Sequence, residues 1–141
     1  MSLITDKVFY NALLSNNELV DMVSGRIENT SIPVPDDELL NEPVPYIIIT
    51  YDGMQNDGFT KDNSYEGDTD HVQVSIEVAA EDRETLGNIM ETIRNTVVRY
   101  FEDGGDVLTP NSYTLTAGQV SYDPDKPCYS QILQYNCDTN P

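Results

Sequence analysis

The residues best spaced for chemistry lie between positions 60 and 71, in the stretch TKDNSYEGDTDH. Counting from Asp62, the oxygen-bearing side chains Ser64, Glu66 and Asp68 fall on alternate positions, and Gly67 stands sixth. That is the pattern of a calcium loop between two helices. Asp62, Glu66, Asp68 and Asp70 are the ligands such a site would use. Its anchor, a bidentate Glu at position twelve, is replaced here by Gln73. An amide has no second anionic oxygen to offer, and Gln73 lies in a run that alternates like a strand. The expectation is a solvated acidic loop with weak cation binding over 57–70 at most, and no cofactor.

The other reactive side chains are sparse. His71 is the only histidine, which leaves a His-based metal site or a His-assisted nucleophile without partners. Cys128 and Cys137 are the only cysteines. On one extended strand they would lie roughly 30 Å apart at ~3.3 Å per residue, too far to bond. Two reduced thiols in an intracellular protein are expected. No glycine pattern cradles phosphate, since GMQNDG has neither the spacing nor the lysine. The chain reads as no enzyme.

Charge excludes more than any motif. Seven Lys and Arg stand against 25 Asp and Glu, a formal charge of −18 over 141 residues. Such a surface repels phosphate backbones and anionic lipid, so direct nucleic-acid and membrane binding are not expected. No apolar run approaches the ~20 residues of a membrane-spanning helix. The N-terminus MSLITDKVFYNALL has no basic region ahead of an apolar stretch, and no secretory signal is expected.

The elements that would position these residues follow from periodicity. Val8, Phe9, Ala12 and Leu13 share a helical face. Asn16 then reads as a fresh N-cap, Leu19, Val20 and Val23 continue the face, and Gly25 closes it. Residues 28–45, with four prolines around Asp36, Asp37 and Glu38, read as a long acidic loop. YIIITY (46–51) reads as a well-covered strand. Residues 52–68 carry turn signals at Asp52-Gly53, Asp57-Gly58 and Asn63-Ser64 and read as a second long acidic loop. HVQVSIEVA alternates as a half-buried strand. From Asp82 to Phe101, Leu86, Ile89, Met90, Ile93, Val97, Tyr100 and Phe101 form one apolar stripe of a long helix, read as core. SYTLTAGQVSY and YSQILQYNC read as wet-faced or edge strands, whose edges could pair with a neighbour. The expected fold is a single α+β domain over 1–141. It has an antiparallel sheet of about four strands, with the long helix and the N-terminal helix pair on one face.

VFYNALLSNNELVDMVSGRI, PVPYIIIT and HVQVSIEVAAEDRETLGNIMETIRNTV, in that order, resemble the tail-completion and tail-terminator proteins of long-tailed bacteriophages and prophages. The resemblance covers roughly residues 6–101, with Gly25-Arg26-Ile27 and Pro45-Tyr46 its most telling pieces. It implies a structural subunit that forms a ring, commonly a hexamer, at the head-proximal end of the tail. The implied partners are other copies of the chain, the tail tube and head-completion proteins. The implied location is the bacterial cytoplasm during assembly and then the virion tail. The site would be an interface or a lumen that DNA passes without binding, with Asp36, Asp37, Glu38, Asp57, Asp62 and Glu66 as the candidate residues. A head–tail (neck) adaptor of the same fold is a second reading. A monomeric α+β binding module holding a cation in loop 57–70 is a third.

Overall fold

In the computed structural model, residues 2–29, 44–56, 69–103, 110 and 112–139 are described. After a single 3-10 turn at Ser2–Ile4, α1 runs from Thr5 to Leu14. Val8, Phe9, Ala12 and Leu13 are buried, as their spacing predicts. Helix α2 (Asn17–Met22) restarts after a break of two residues.

Asn16 makes that restart and also ties it down. Its Oδ1 accepts from the N–H groups of Glu18 and Leu19 at 3.0 and 3.3 Å, satisfying two orphan donors of the first turn. Its Nδ2 donates to Thr96 Oγ1 at 2.8 Å, and that hydroxyl in turn donates to the Thr92 carbonyl at 2.6 Å. Thr96 belongs to the long helix α3 (Arg83–Glu102), so one side chain caps α2 and joins it to α3. Asn16→Ala is expected to cost about 1–2 kcal/mol. Asn16→Asp, which keeps the cap and loses the donor to Thr96, should cost less. Urea unfolding of both variants checks the ranking.

Helix α2 ends in a Schellman pair. Ser24 N–H donates to Asp21 O at 3.2 Å, and Gly25 N–H to Val20 O at 2.8 Å. Gly25 therefore marks the stop as expected, with φ at 76°, but the first left-handed residue is Ser24 at φ 52°. That conformation costs an L-residue roughly 1–2 kcal/mol, part of which glycine gives back as unfolded-state entropy. Ser24→Gly is expected to raise stability by about 0.5–1 kcal/mol, seen as a higher urea midpoint at unchanged slope.

Strand β1 (Ile27–Asn29) lies parallel to β2 (Tyr46–Asn56), with Ile27 opposite Ile47. The backbone of Ile47 donates to Arg26 O, and Arg26 Nε donates to Pro45 O, both at 2.9 Å. The Gly25-Arg26-Ile27 and Pro45-Tyr46 segments thus meet at one joint, the start of the sheet. The remaining strands are β3 (Asp70–Ala80), β4 (Ser112–Ala117), β5 (Ser121–Asp123) and β6 (Cys128–Thr139). The sheet order is β1-β2-β3-β6-β4, with β5 also paired to β6.

Three expectations change. Among the described residues the sheet has six strands and is mixed, because β1 adds a parallel edge. Three residues are too few to show a period of two, and Glu28 and Asn29 of β1 fall within the stretch 28–45 that reads as a loop. Asp52-Gly53 is no turn: β2 continues to Asn56, and Gly53, at φ 138°, sits at a shift in the β2–β3 register. Glycine supplies positive φ to turns and bulges alike, and the dipeptide does not distinguish them. SYTLTAGQVSY is also two strands. Ala117 pairs with Leu133 and Ser121 with Ser130, so three intervening residues face two on β6, a second bulge.

Helices α1 and α3 cover one face of the sheet. Val72, Val74, Ile76 and Val78 of β3 are fully buried there, with Ile47, Ile49, Leu133, Tyr135 and Cys137 beside them. Leu86, Ile89, Met90, Ile93 and Val97 face them from α3 with Phe101 packed alongside, so six of the seven stripe residues are core. Tyr100 lines the groove between α2 and α3 instead. Asp82 caps α3 through Thr85 N–H at 2.7 Å, and that hydrogen bond holds its carboxyl below the usual carboxylate range. Four rings close a cycle between the layers. Phe9 lies 5.4 Å from Phe101 and 4.8 Å from Tyr135, and Tyr113 lies 5.5 and 5.4 Å from the same two rings. The cycle joins α1, α3, β4 and β6.

Candidate assembly surface

Of the four candidate metal ligands, Asp62, Glu66 and Asp68 lie outside the described residues, as do the lumen candidates Asp36, Asp37, Glu38 and Asp57. Asp70 is described. It opens β3 with its side chain buried, and accepts a hydrogen bond from Asn56 Nδ2 at 2.6 Å across the β2–β3 ladder. Nearby, burial raises the pKa of the Tyr51 phenol, with Asp6 and Asp70 adding to the shift. Among the described residues, no group of three or more His, Cys, Asp and Glu side chains is placed to hold a metal ion.

His71 stands on the other face of β3, half exposed, with Nδ1 2.6 Å from Asp138 Oδ1. Ser112 Oγ donates to the second oxygen of Asp138 at 3.3 Å. This row runs across β3, β6 and β4, and the histidine closes a surface cross-strand pair. Both cysteines are on β6, buried and free. Burial pushes the Cys137 thiol up to about 12, and raises Cys128 as well, with Asp123 and Asp138 acting in the same direction on their neighbours. Neither is a thiolate nucleophile at neutral pH.

Two surfaces remain. A groove of about 590 Å³ runs between α2 and α3, lined by Ser15, Asn16, Glu18, Thr92, Arg99 and Tyr100. Asn16, Glu18, Thr92 and Thr96 of its lining belong to the cap network described above. The second is the sheet face away from the helices. Alternation puts Gln73, Ser75 and Glu77 of β3 on it, with Ile48 and Thr50 from β2 and Ile132, Gln134 and Asn136 from β6. A hollow of about 370 Å³ on this face lies over Gly53, His71, Gln73, Asn136 and Asp138. The β-bulge at Gly53 lies in its lining, beside Asp52, which accepts a hydrogen bond from the Ser75 hydroxyl. Most of this face is polar, with Ile132 exposed near its centre (45%). Sequence reasoning found this face as the wet side of β3. It missed the cross-strand rows, because register is set between strands far apart in the chain.

No protein-family model and no curated protein sequence matches the chain. In fold it is similar to a solved chain from the virion of a native gene transfer agent particle, with a TM-score of 0.64 and 10% identity. The superposition covers 96% of this chain and 94% of the other, so the likeness extends over the whole domain. At that identity it is a likeness of fold.

Proposed function

We propose that the chain is a structural subunit of a phage or phage-like virion. In this reading it forms a ring, a hexamer on the tail, that completes the head-proximal end and joins it to the head. The observation that carries the reading is the fold likeness to a virion chain over nearly the whole length of both. The sequence resemblance over residues 6–101 supports the narrower assignment to tail completion. Its role is assembly without catalysis, its partners are further copies, the tail tube and head-completion proteins, and its final place is the virion.

Charge fits this role in one further way. Repeated around a ring, −18 per chain gives a lumen that DNA crosses without sticking. Neutralising Asp36, Asp37 and Glu38, or Asp57, Asp62 and Glu66, to Asn and Gln is then expected to slow DNA ejection from assembled tails. Normal ejection would remove that cluster from the lumen.

The test of the whole reading is absolute mass by light scattering from low to high salt, with and without calcium. Repulsion between copies is screened within ~8 Å at physiological ionic strength. A ring-sized species that grows with salt and ignores calcium is the expected result. A monomer at every salt concentration, with a melting temperature that rises with calcium, would replace it with the cation-binding module.

A further inference from the structure

The charged residues of this chain are unevenly placed, and the gaps fall together in the fold. The longest run without Asp, Glu, Lys or Arg is 107–122, sixteen residues, and the next is 127–137, eleven residues. The first contains β4 and most of β5, and the second contains most of β6. β4 and β5 both pair with β6, so the described parts of the two runs, 112–122 and 127–137, form one uncharged strip along one side of the sheet, bounded by Asp123 and Asp138. Edge strands are commonly protected by charge or proline, and β4, SYTLTA, carries neither. Among the described residues nothing pairs with its outer side.

The ladder specifies which groups face out. Gly118 N–H donates to Ile132 O at 2.9 Å, continuing the β4–β6 register. Hydrogen-bonded pairs alternate in an antiparallel ladder. Ser112, Thr114 and Thr116 therefore bond to β6, and Tyr113, Leu115 and Ala117 turn their N–H and C=O groups to the open edge. Beyond Ala117 the second bulge bends the edge away, which confines a partner to this six-residue strand.

We propose that β4 is the contact through which one copy of this chain binds the next, by adding a strand of the neighbouring copy to the sheet. This rests on the ring reading and names its interface. The partner is a second copy because every copy carries −18, and copies that repel elsewhere can approach closely along a strand that carries no acid of its own. Exposed backbone groups on an extended edge select an extended strand as their complement.

The experiment is amide hydrogen exchange on the full chain, comparing the monomer at low salt with the assembled species at high salt. The Tyr113, Leu115 and Ala117 amides are expected to exchange fast in the monomer and at least about tenfold slower in the assembly. Those of Thr114 and Thr116 are expected to be protected in both. Ala117→Pro, which removes one outward donor where an edge tolerates proline, should keep the monomer folded and block assembly. Thr114→Glu, at an exposed position, should block it through charge with every backbone group kept. Assembly with the three amides still fast, or unchanged assembly of both variants, would overturn the edge contact and leave the ring reading standing. A wild-type chain that stays monomeric at every salt concentration would overturn both.

Discussion

Phe9→Ala is expected to cost about 3–5 kcal/mol, the range for emptying a fully buried aromatic site. Phe9 has no exposed surface and touches rings from two other elements, Phe101 of α3 and Tyr135 of β6. A domain of this size holds only about 5–15 kcal/mol in total. The variant should therefore unfold at far lower urea, and a marginal parent would leave it partly unfolded in buffer. Phe9→Leu keeps most of the apolar volume and loses the edge-on ring contacts, so it should fall between the two. A Phe9→Ala cost below about 1 kcal/mol would mean that α1 is held to the sheet elsewhere, and that the four-ring cycle is incidental.

Stability is expected to fall steeply on the alkaline side, beginning near pH 9. An unfolded cysteine ionises near 9.0, whereas burial and the neighbouring Asp138 push folded Cys137 up to about 12. Between those values the unfolded chain has released a proton that the folded chain keeps. Stability is thus complete below the unfolded value and is lost as pH climbs toward the folded one. For Cys137 alone the loss is on the order of 3 kcal/mol by about pH 11. Burial raises Tyr135, Tyr113 and Tyr51 above 10.0 too, and their loss begins one pH unit higher. Urea midpoints measured from pH 8 to pH 11 would follow this curve. Cys137→Ala should flatten its first part, and Tyr135→Phe, which keeps the ring, its later part. An unchanged slope in Cys137→Ala would remove the thiol as its cause.

How far the sequence could be read depended on how local each cause is. The α3 stripe from Leu86 to Phe101 was legible because its seven apolar residues repeat on one helical face, and any helix that long must bury such a face. The alternation of Val72, Val74, Ile76 and Val78 was legible for the same reason at a period of two. Asn16 was legible as a cap, since its side chain competes for the N–H groups next to it. Its second hydrogen bond was not, because Thr96 stands eighty positions away. The candidate site divided along the same line. The acidic character of the 62–70 stretch and the presence of a single histidine could be read directly. The cross-strand row of His71, Asp138 and Ser112 could not.

By itself the sequence determined what local forces decide: where helices start and stop, which side of β3 is apolar, and a formal charge of −18. Tertiary structure decided what depends on partners distant in the chain. It made a parallel edge of Ile27–Asn29, turned Asp52-Gly53 from a turn signal into a bulge, and closed four rings from four elements into one contact. It also laid the uncharged β4 beside the uncharged stretch of β6, with the backbone N–H and C=O groups of Tyr113, Leu115 and Ala117 turned to the open edge. The physical reason is that strand register and edge position are properties of pairs of segments, set by burial on a shared face, and neither segment contains that information alone.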